Sequence, residues 1–405
     1  MTAVQAEDLT RPPAVPVEEL CAPFLPARAS FVPVPLRALT GLRFLAALLV
    51  VLYHVQIIGR VTIAPIAGIG YVGVSFFFIL SGFILAYSYL DTQGTLGCGR
   101  RAFWGARVAR IYPIYLCAFV LGTLPFLWQH DPRANPAITA FSAFTLTQAW
   151  LPWNADAWNG PGWSLSVEAF FYLLFPFVVV PIARLPRRGL FRAVNLLWLL
   201  ALAGPLIYIG MNPDGLHTWG WADSTWIRVI RFDPLLRLPE FLMGVALGRM
   251  FVTDRAASSV RGCGGLRSAS FALGGFVPLA ALAAIVAAPS LGLPLPYILL
   301  HNGLLDPLFG ALIYTAAWGK GKVGAGLASP LSVALGEASY ALYILHIPVH
   351  DLLDRWMPVP AAADPRCVAY WIAYLALCVA LSLLTLRVIE QPSRRALRRL
   401  FVRPA

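Results

Sequence analysis

Apolar runs recur along the whole chain, and each is about as long as a helix must be to cross a bilayer. About 20 apolar residues in a helix cross the hydrocarbon core. The composition agrees, because 59% of the 405 residues are hydrophobic and 12% are charged, whereas soluble domains carry about 25% charged residues. We therefore predict an all-α fold, a polytopic bundle of transmembrane helices. About ten spans are predicted, at residues 37–57, 71–90, 111–129, 163–183, 193–211, 235–251, 270–289, 297–317, 329–350 and 367–388.

Loops rich in positive charge alternate along the chain with loops that carry less of it. Arginines cluster after the second, fourth and sixth predicted spans and beyond the last one, whereas the segment 291–296 carries none. Loops rich in Lys and Arg stay in the cytoplasm, so both termini are predicted to be cytoplasmic. The exception is the loop near 212–234, which holds Arg228 and Arg231. The net charge of +12 is interpreted as this topology signal, and no nucleic-acid partner is predicted.

The chain divides into three predicted parts. Residues 1–36 are rich in proline and lack the basic start, apolar centre and cleavage site of a signal peptide, so we expect a flexible cytoplasmic tail. Residues 37–390 form the membrane domain, and residues 391–405 form a basic cytoplasmic tail. The six cysteines show no metal-ligand spacing, and no metal site is predicted. The expected location is the cell membrane, inner or plasma, with multiple passes.

An arginine and a histidine interrupt the first apolar run, TGLRFLAALLVVLYHV at 40–55. Arg43 and His54 are eleven residues apart, which places them on one helix face at about 100° per residue, with a rise of about 16 Å between them. With the N-terminus in the cytoplasm, Arg43 lies near the cytoplasmic boundary and His54 toward the far side. Titratable groups within a span usually face a cavity, so we predict that both residues line one tunnel.

Each of these residues also has an ordinary structural explanation. An arginine near the end of a span often snorkels to the interface, and a lone histidine in a span often forms an interhelical hydrogen bond. Their shared face favours a functional interpretation. A histidine can take the proton of an attacking hydroxyl group, and a guanidinium nearer the cytoplasm can hold a phosphate of a donor that arrives from that side.

The Arg-x10-His pattern of the first span resembles the acyltransferase-3 family of integral membrane O-acyltransferases. The resemblance covers about residues 36 to 390 and implies that the domain at 37–390 is an acyltransferase domain. Further stretches resemble the family's motifs in the same order: GYVGVSFFFILSGFILAYSY from Gly70, RRAFWGARVARIYPIYL from Arg100, GPGWSLSVEAFFYLLFP from Gly160, RLPEFLMGVALG from Arg237 and GEASYALYILHIPV from Gly336.

The resemblance implies a site for each substrate. Arg107 and Arg110 would join Arg43 in binding acyl-CoA, although the positive-inside rule alone also explains arginines at that place. The other implied positions, which line the pocket for the acyl group and the acceptor, are Ser81, Gly82, Phe83, Trp163, Ser164, Tyr340 and His346. Some have plainer explanations, because small residues let membrane helices approach closely, interfacial tryptophans are common and an intramembrane histidine is often a hydrogen-bonded core residue.

Glu168 is the most informative acidic residue. It falls within the fourth predicted span, at a depth comparable with His54, where a carboxylate without a partner is costly. We expect His54 or Arg237 to be that partner. Glu168 would then orient the His54 imidazole or bind the acceptor hydroxyl, and we predict His54 and Glu168 as the catalytic pair. Glu240 is expected to pair with Arg237 at i, i+3 spacing.

The predicted function is O-acylation. A short acyl group, acetyl or similar, would pass from acyl-CoA to a hydroxyl of a carbohydrate, a glycolipid or a glycosylated secondary metabolite such as a macrolide. Acyl-CoA is a co-substrate, no cofactor is expected to be bound permanently, and the other predicted partners are the acceptor and membrane lipids. The alternative is a transporter or flippase of a glycoside or lipid-linked sugar, but such proteins often show inverted repeats or paired broken helices, and the sequence has neither.

Overall fold

The computed structural model describes residues 34–61, 63–129, 135–215, 223–261, 297–319 and 321–401. Within these ranges every regular element is helical, apart from one isolated bridge between Leu90 and Leu96. The all-α prediction is therefore confirmed for this part of the chain. Most of the predicted N-terminal tail, the whole predicted span at 270–289 and residues 402–405 lie outside the described residues.

The described helices are named in chain order. They are α1 Arg37–Gly59, α2 Pro65–Gly68, α3 Gly73–Tyr89, α4 Arg100–Gln129, α5 Pro136–Phe144, α6 Gly162–Ala183, α7 Arg187–Met211, α8 Thr225–Phe232, α9 Pro234–Arg261, α10 Tyr297–His301, α11 Asp306–Ala317, α12 Gly321–Leu327, α13 Pro330–Asp354, α14 Arg366–Thr385 and α15 Gln391–Phe401. A π-helical turn, Leu386–Glu390, joins α14 to α15.

Seven stretches of the described helices are long and apolar enough to cross a membrane. The predicted spans at 235–251 and 329–350 form the long helices α9 and α13, which are not among these seven. The chain is thus a multi-pass membrane protein, while the count of about ten spans and their orientation stay predictions. The seven stretches are Arg37–Gly59, Gly70–Tyr89, Arg100–Trp128, Gly162–Ala183, Arg187–Met211, Tyr297–Ala317 and Arg366–Ala396.

Two helix ends differ from the predicted spans in ways that matter for the site. Helix α4 begins at Arg100, well before the span predicted at 111–129, because its arginine-rich first turns continue the helix beyond the apolar run. Arg107 and Arg110 are therefore held on a helix rather than in a loop. At the other end of the chain, residues 391–401 of the predicted basic tail form α15, which packs against α4.

Helices α3 and α9 pack with their backbones in near contact. A Cβ atom at Gly244 would lie 2.0 Å from the carbonyl oxygen of Ile79, and one at Gly82 would lie 2.1 Å from that of Phe241. Small residues allow this approach, which gives membrane helices much of their packing energy. Gly82 of the Ser-Gly-Phe segment therefore faces α9.

Helices α1 and α13 pack side by side and run in the same direction. Near their N-termini, a Cβ atom at Gly336 would lie 1.8 Å from the carbonyl oxygen of Thr40. Several turns further along both helices, the ring of His346 lies 5.0 Å from the ring of His54, measured between centroids. The close contact at Gly336 thus sets the register that brings the two histidines together.

Candidate active site

A cavity of about 220 Å³ lies between α1, α3, α4, α6 and α13. Its wall combines apolar side chains with a smaller set of polar ones, which is the usual character of a small-molecule site. The residues 34–36 that precede α1 close part of it, and the Tyr87 hydroxyl donates a hydrogen bond to the Val34 carbonyl at 2.7 Å. The polar residues on the wall include Thr40, Arg43, Ser81, Ser88, Arg107, Arg110, Ser164, Glu168, Tyr172, Ser339, Tyr340 and Tyr343.

The three arginines predicted to bind the donor all line this cavity. Arg107 donates a hydrogen bond from Nη2 to the Tyr89 hydroxyl at 2.9 Å, and its guanidinium lies over the Tyr89 ring at 5.3 Å. Arg43 and Arg110 donate no hydrogen bond to any of the described residues, and the nearest carboxylate oxygen to Arg110 is Oε1 of Glu390, 4.0 Å from Nη1. Two guanidinium groups on the wall therefore keep donors for an anionic ligand.

Glu168 lies on the wall between Ser81 and Tyr172. The Ser81 hydroxyl donates a hydrogen bond to Oε1 of Glu168 at 3.0 Å, and the Tyr172 hydroxyl donates to the same oxygen. The expectation that His54 or Arg237 is the partner of Glu168 is wrong in this structure. Tyr172 follows Glu168 by four residues on α6, so one helix face supplies both groups.

The cavity reaches two tyrosines of α13. The Tyr340 hydroxyl donates to the Ile111 carbonyl at 2.9 Å. The Tyr343 hydroxyl lies 2.7 Å from the Ser164 hydroxyl, which makes a direct bond between α13 and the start of α6. Tyr343 borders the cavity, and its ring centroid lies 6.4 Å from that of His346.

His54 and His346 form a pair beyond Tyr343, and neither belongs to the cavity wall. Nε2 of His346 lies 3.3 Å from Nδ1 of His54. Each ring also contacts a carbonyl oxygen, because Nδ1 of His54 is 2.8 Å from the Val50 oxygen and Nδ1 of His346 is 2.7 Å from the Tyr343 oxygen. We predicted that Arg43 and His54 line one tunnel. In this structure Arg43 lines the cavity and His54 does not.

The carbonyl contacts assign the tautomers of both rings. A carbonyl oxygen only accepts, so each Nδ1 carries a hydrogen. In the neutral form, Nε2 of His346 is then an acceptor that faces the Nδ1–H group of His54. Nε2 of His54 keeps a lone pair, and a base of this kind can take a proton while its Nδ1–H group stays hydrogen bonded.

Besides His346, three predicted pocket residues do not line the cavity. Gly82 faces α9, and the Phe83 ring is fully buried against Phe251 at a centroid distance of 5.4 Å. Trp163 is buried beside Phe232, 5.0 Å between ring centroids. Ser81 and Ser164 do line the cavity because they lie one residue away from Gly82 and Trp163, on a different face of the same helices.

Arg237 lies at the centre of a buried polar cluster on the far side of α3. Its Nη2 atom is 3.0 Å from Oε2 of Glu240, which confirms the expected i, i+3 pair. The guanidinium also donates to the Ser75 hydroxyl at 2.9 Å and to the His301 carbonyl at 2.5 Å. The buried Arg237 guanidinium thus links α9 to α3 through Ser75 and to α10 through His301, and Glu240 offsets its charge within α9.

Several residues of the site were not among the predicted ones. Tyr172 lies four residues after Glu168, and Tyr343 lies three residues before His346. Residues three or four apart share a helix face, so this spacing could have identified both tyrosines. Glu390 could not have been identified in this way, because its burial depends on the π-helical turn at the end of α14. Such turns occur often at functional sites.

Comparisons with known proteins give a consistent result. Residues 36–387 match the sequence model of the acyltransferase-3 family, described as an acyltransferase domain. The chain is 28% identical to acyltransferase MdmB of Streptomyces mycarofaciens over 393 residues, which is 90% of this chain and 93% of that protein. No solved structure matches the chain.

Two further relatives share only part of their length with this chain. The putative peptidoglycan O-acetyltransferase YrhL of Bacillus subtilis is 29% identical over 178 residues, 41% of this chain and 27% of that protein. The O-acetyltransferase OatA of Staphylococcus aureus is 24% identical over 202 residues, 47% of this chain and 32% of that protein. The family model covers most of the chain, and the helical membrane architecture agrees with it. The chain therefore belongs to the acyltransferase-3 family of membrane O-acyltransferases and is an acyltransferase.

Proposed function

We propose that this acyltransferase moves a short acyl group, acetyl or similar, from acyl-CoA to a hydroxyl of a carbohydrate, a glycolipid or a glycosylated secondary metabolite such as a macrolide. The observation that carries the proposal is the arrangement of the cavity. Arg43 and Arg110 line it with guanidinium groups that donate no hydrogen bond to the described residues, and Tyr343 borders it beside the His54–His346 pair. A phosphate-bearing thioester and a general base fit such an arrangement.

The donor binds with its phosphates at the arginines and its thioester arm along the apolar wall. Guanidinium groups bind phosphate oxygens with charge-assisted hydrogen bonds. Glu168 is proposed to keep the shape of the wall, because it fixes the hydroxyls of Ser81 and Tyr172. Its contacts support this positioning role, and they give no support to direct contact with His54.

His54 acts as the general base. The acceptor oxygen forms a C–O bond to the acyl carbon while the C–S bond of the thioester breaks. The hydroxyl proton passes to Nε2 of His54 and from there to the departing thiolate, so the products are the ester and CoA. The positive charge that forms on His54 is stabilised by the Val50 carbonyl and by Nε2 of His346, both within hydrogen-bond distance of Nδ1.

The acceptor approaches His54 from the side where tyrosine rings cluster. The Tyr53 ring lies 5.2 Å from the His54 ring and 5.2 Å from the Tyr71 ring, and Tyr71 lies 4.7 Å from Tyr297. Tyrosines combine an apolar face with a polar hydroxyl, which suits a ligand that carries both apolar ring faces and hydroxyl groups. A sugar has this chemistry, and two of the relatives are named as acting on peptidoglycan or as O-acetyltransferases.

Mass spectrometry of extractable glycosides, from cells with and without the gene, tests the proposal. The expected result is a species that is heavier by one acyl group only when the gene is present, and that disappears with His54→Ala at unchanged membrane expression. Purified protein supplied with isotope-labelled acetyl-CoA should transfer the label to the same species. Identical glycoside profiles in both strains, together with no label transfer, would refute the proposed function.

A further inference from the structure

The donor proposed above is larger than the cavity that would hold it. The cavity measures about 220 Å³, whereas sites for drug-sized ligands usually measure about 300–1,000 Å³. Acyl-CoA carries an adenine nucleotide and three phosphates in addition to its pantetheine arm. On the proposed function, the cavity takes the acyl group and part of the arm, and the nucleotide end stays outside, next to the arginines.

A further guanidinium group, that of Arg394, lies near Arg110. Arg394, in the first turn of α15, donates a hydrogen bond from Nη2 to Oε1 of Glu390. The same carboxylate oxygen lies 4.0 Å from Nη1 of Arg110, which lines the cavity. Glu390 is fully buried, and the Arg394 side chain is 18% exposed. Glu390 thus links Arg394 to Arg110 on the cavity wall.

The charges around Arg394 favour an anionic ligand. Arg394 interacts electrostatically with Arg43, Arg107 and Arg110, and all three interactions are repulsive. The carboxylates that offset these four cations are Glu168, Glu337 and Glu390. The cluster therefore has an excess of positive charge in a region where charge is costly, and a phosphate would lower that cost. The Nε–H group of Arg394 is also buried without a hydrogen-bond partner among the described residues.

We propose that Arg394 is an additional donor-binding residue, which binds a phosphate of the nucleotide end of acyl-CoA between α4 and α15. The π-helical turn before α15 and the buried Glu390 hold its side chain beside Arg110. The basic segment that follows the last span then belongs to the donor site. If Arg394 only formed a structural ion pair with Glu390, it would bind no nucleotide. Substituting it would then affect the binding of all thioesters equally.

The test compares two ligands that share the thioester arm and differ in the nucleotide. Binding of acetyl-CoA and of S-acetyl-pantetheine, which lacks the nucleotide, is measured by calorimetry on the full chain in nanodiscs of neutral phosphatidylcholine. Arg394→Gln is expected to weaken acetyl-CoA binding about tenfold, the size of one charge-assisted hydrogen bond, and to leave S-acetyl-pantetheine binding unchanged. Arg394→Lys should recover part of the loss. Arg395→Gln is the matched control, because Arg395 is the next residue of the same helix and is exposed.

The outcomes separate this inference from the proposed function. If the wild-type protein binds neither thioester, the proposed donor is wrong. If the wild-type protein binds acetyl-CoA but Arg394→Gln binds it as tightly as Arg395→Gln does, Arg394 is not a donor ligand. Equal weakening of both ligands by Arg394→Gln would also overturn the inference, since it would indicate a structural role, and a thermal unfolding curve of each variant identifies loss of fold.

Discussion

The pair of histidines leads to a prediction about the rate of acyl transfer. His346 touches neither the cavity nor the donor site, yet its Nε2 atom accepts from the Nδ1–H group of His54 at 3.3 Å. When His54 takes the acceptor proton, this contact becomes a hydrogen bond from a charged imidazolium. His346→Ala removes the acceptor, and His346→Gln supplies a new one through its amide oxygen.

The size of the effect follows from the geometry. A hydrogen bond to a charged group is worth about 1.5–3 kcal/mol. The contact is long, and Nδ1 of His54 also has the Val50 carbonyl at 2.8 Å, so we expect about 1.5 kcal/mol. That value corresponds to a fall in kcat of about tenfold for His346→Ala. The KM for acyl-CoA should stay unchanged, because the arginines are not affected. His54→Ala removes the base itself and should cost about 10²–10⁴-fold.

The assay follows CoA release with the acceptor identified by mass spectrometry, using the full chain in nanodiscs. His350 provides a matched control, because it is a buried histidine on the same helix that stacks on Trp371 at 5.9 Å and does not contact His54. His350→Ala should keep kcat near the wild-type value, and His346→Gln should recover part of the rate lost in His346→Ala.

Equal kcat values for His346→Ala and His350→Ala would show that the His54–His346 contact does not assist the transfer, because both variants lose a buried imidazole from α13 and only one loses the contact to His54. A wild-type rate in His54→Ala would exclude His54 from the mechanism altogether.

Three other predictions concern binding and stability. Arg43→Ala should raise the KM for acyl-CoA about tenfold or more with a smaller change in kcat, measured by steady-state kinetics, because it removes a guanidinium that donates no hydrogen bond to the described residues and is therefore available to the donor phosphates. Gly244→Val should destabilise the protein by about 1–3 kcal/mol or more, since the added side chain meets backbone rather than a flexible side chain. Gly210→Ala, which meets nothing within 4 Å, should unfold at or slightly above the wild-type temperature, because alanine favours a helix over glycine. Glu240→Leu should cost about 3–5 kcal/mol in thermal or denaturant unfolding, because it leaves Arg237 buried without its carboxylate, and a wild-type unfolding curve would show that the pair contributes little.

The sequence was sufficient to predict features that depend on interactions within one helix. The apolar runs predicted a helical membrane protein, and the 3.6-residue period predicted that Glu240 pairs with Arg237, as the structure confirms. The same period placed Arg43 and His54 on one face of α1. It could not predict how far the neighbouring cavity extends along that face, and in the structure it reaches Arg43 but not His54.

Contacts between helices decided the rest of the site. Glu168 meets Ser81 rather than His54 because α6 places it opposite α3, whereas its second partner, Tyr172, lies four residues along the same helix. Gly82 faces α9, and not the cavity, for a similar reason. Such placements depend on side chains that are far apart in the sequence, and hydropathy contains no information about them.

The apolar runs alone predicted that this chain spans a membrane as helices, and they marked the rare polar residues within the spans, because polar groups are costly in hydrocarbon. The family was indicated by the order of the sequence motifs and is shown by the match of residues 36–387 to the family model. Which polar groups meet depends on the tertiary structure. The register between α1 and α13 joins His54 to His346, and the π-helical turn after α14 brings Arg394 to Arg110. Both pairings join residues hundreds of positions apart, and backbone packing at glycines and turns sets them.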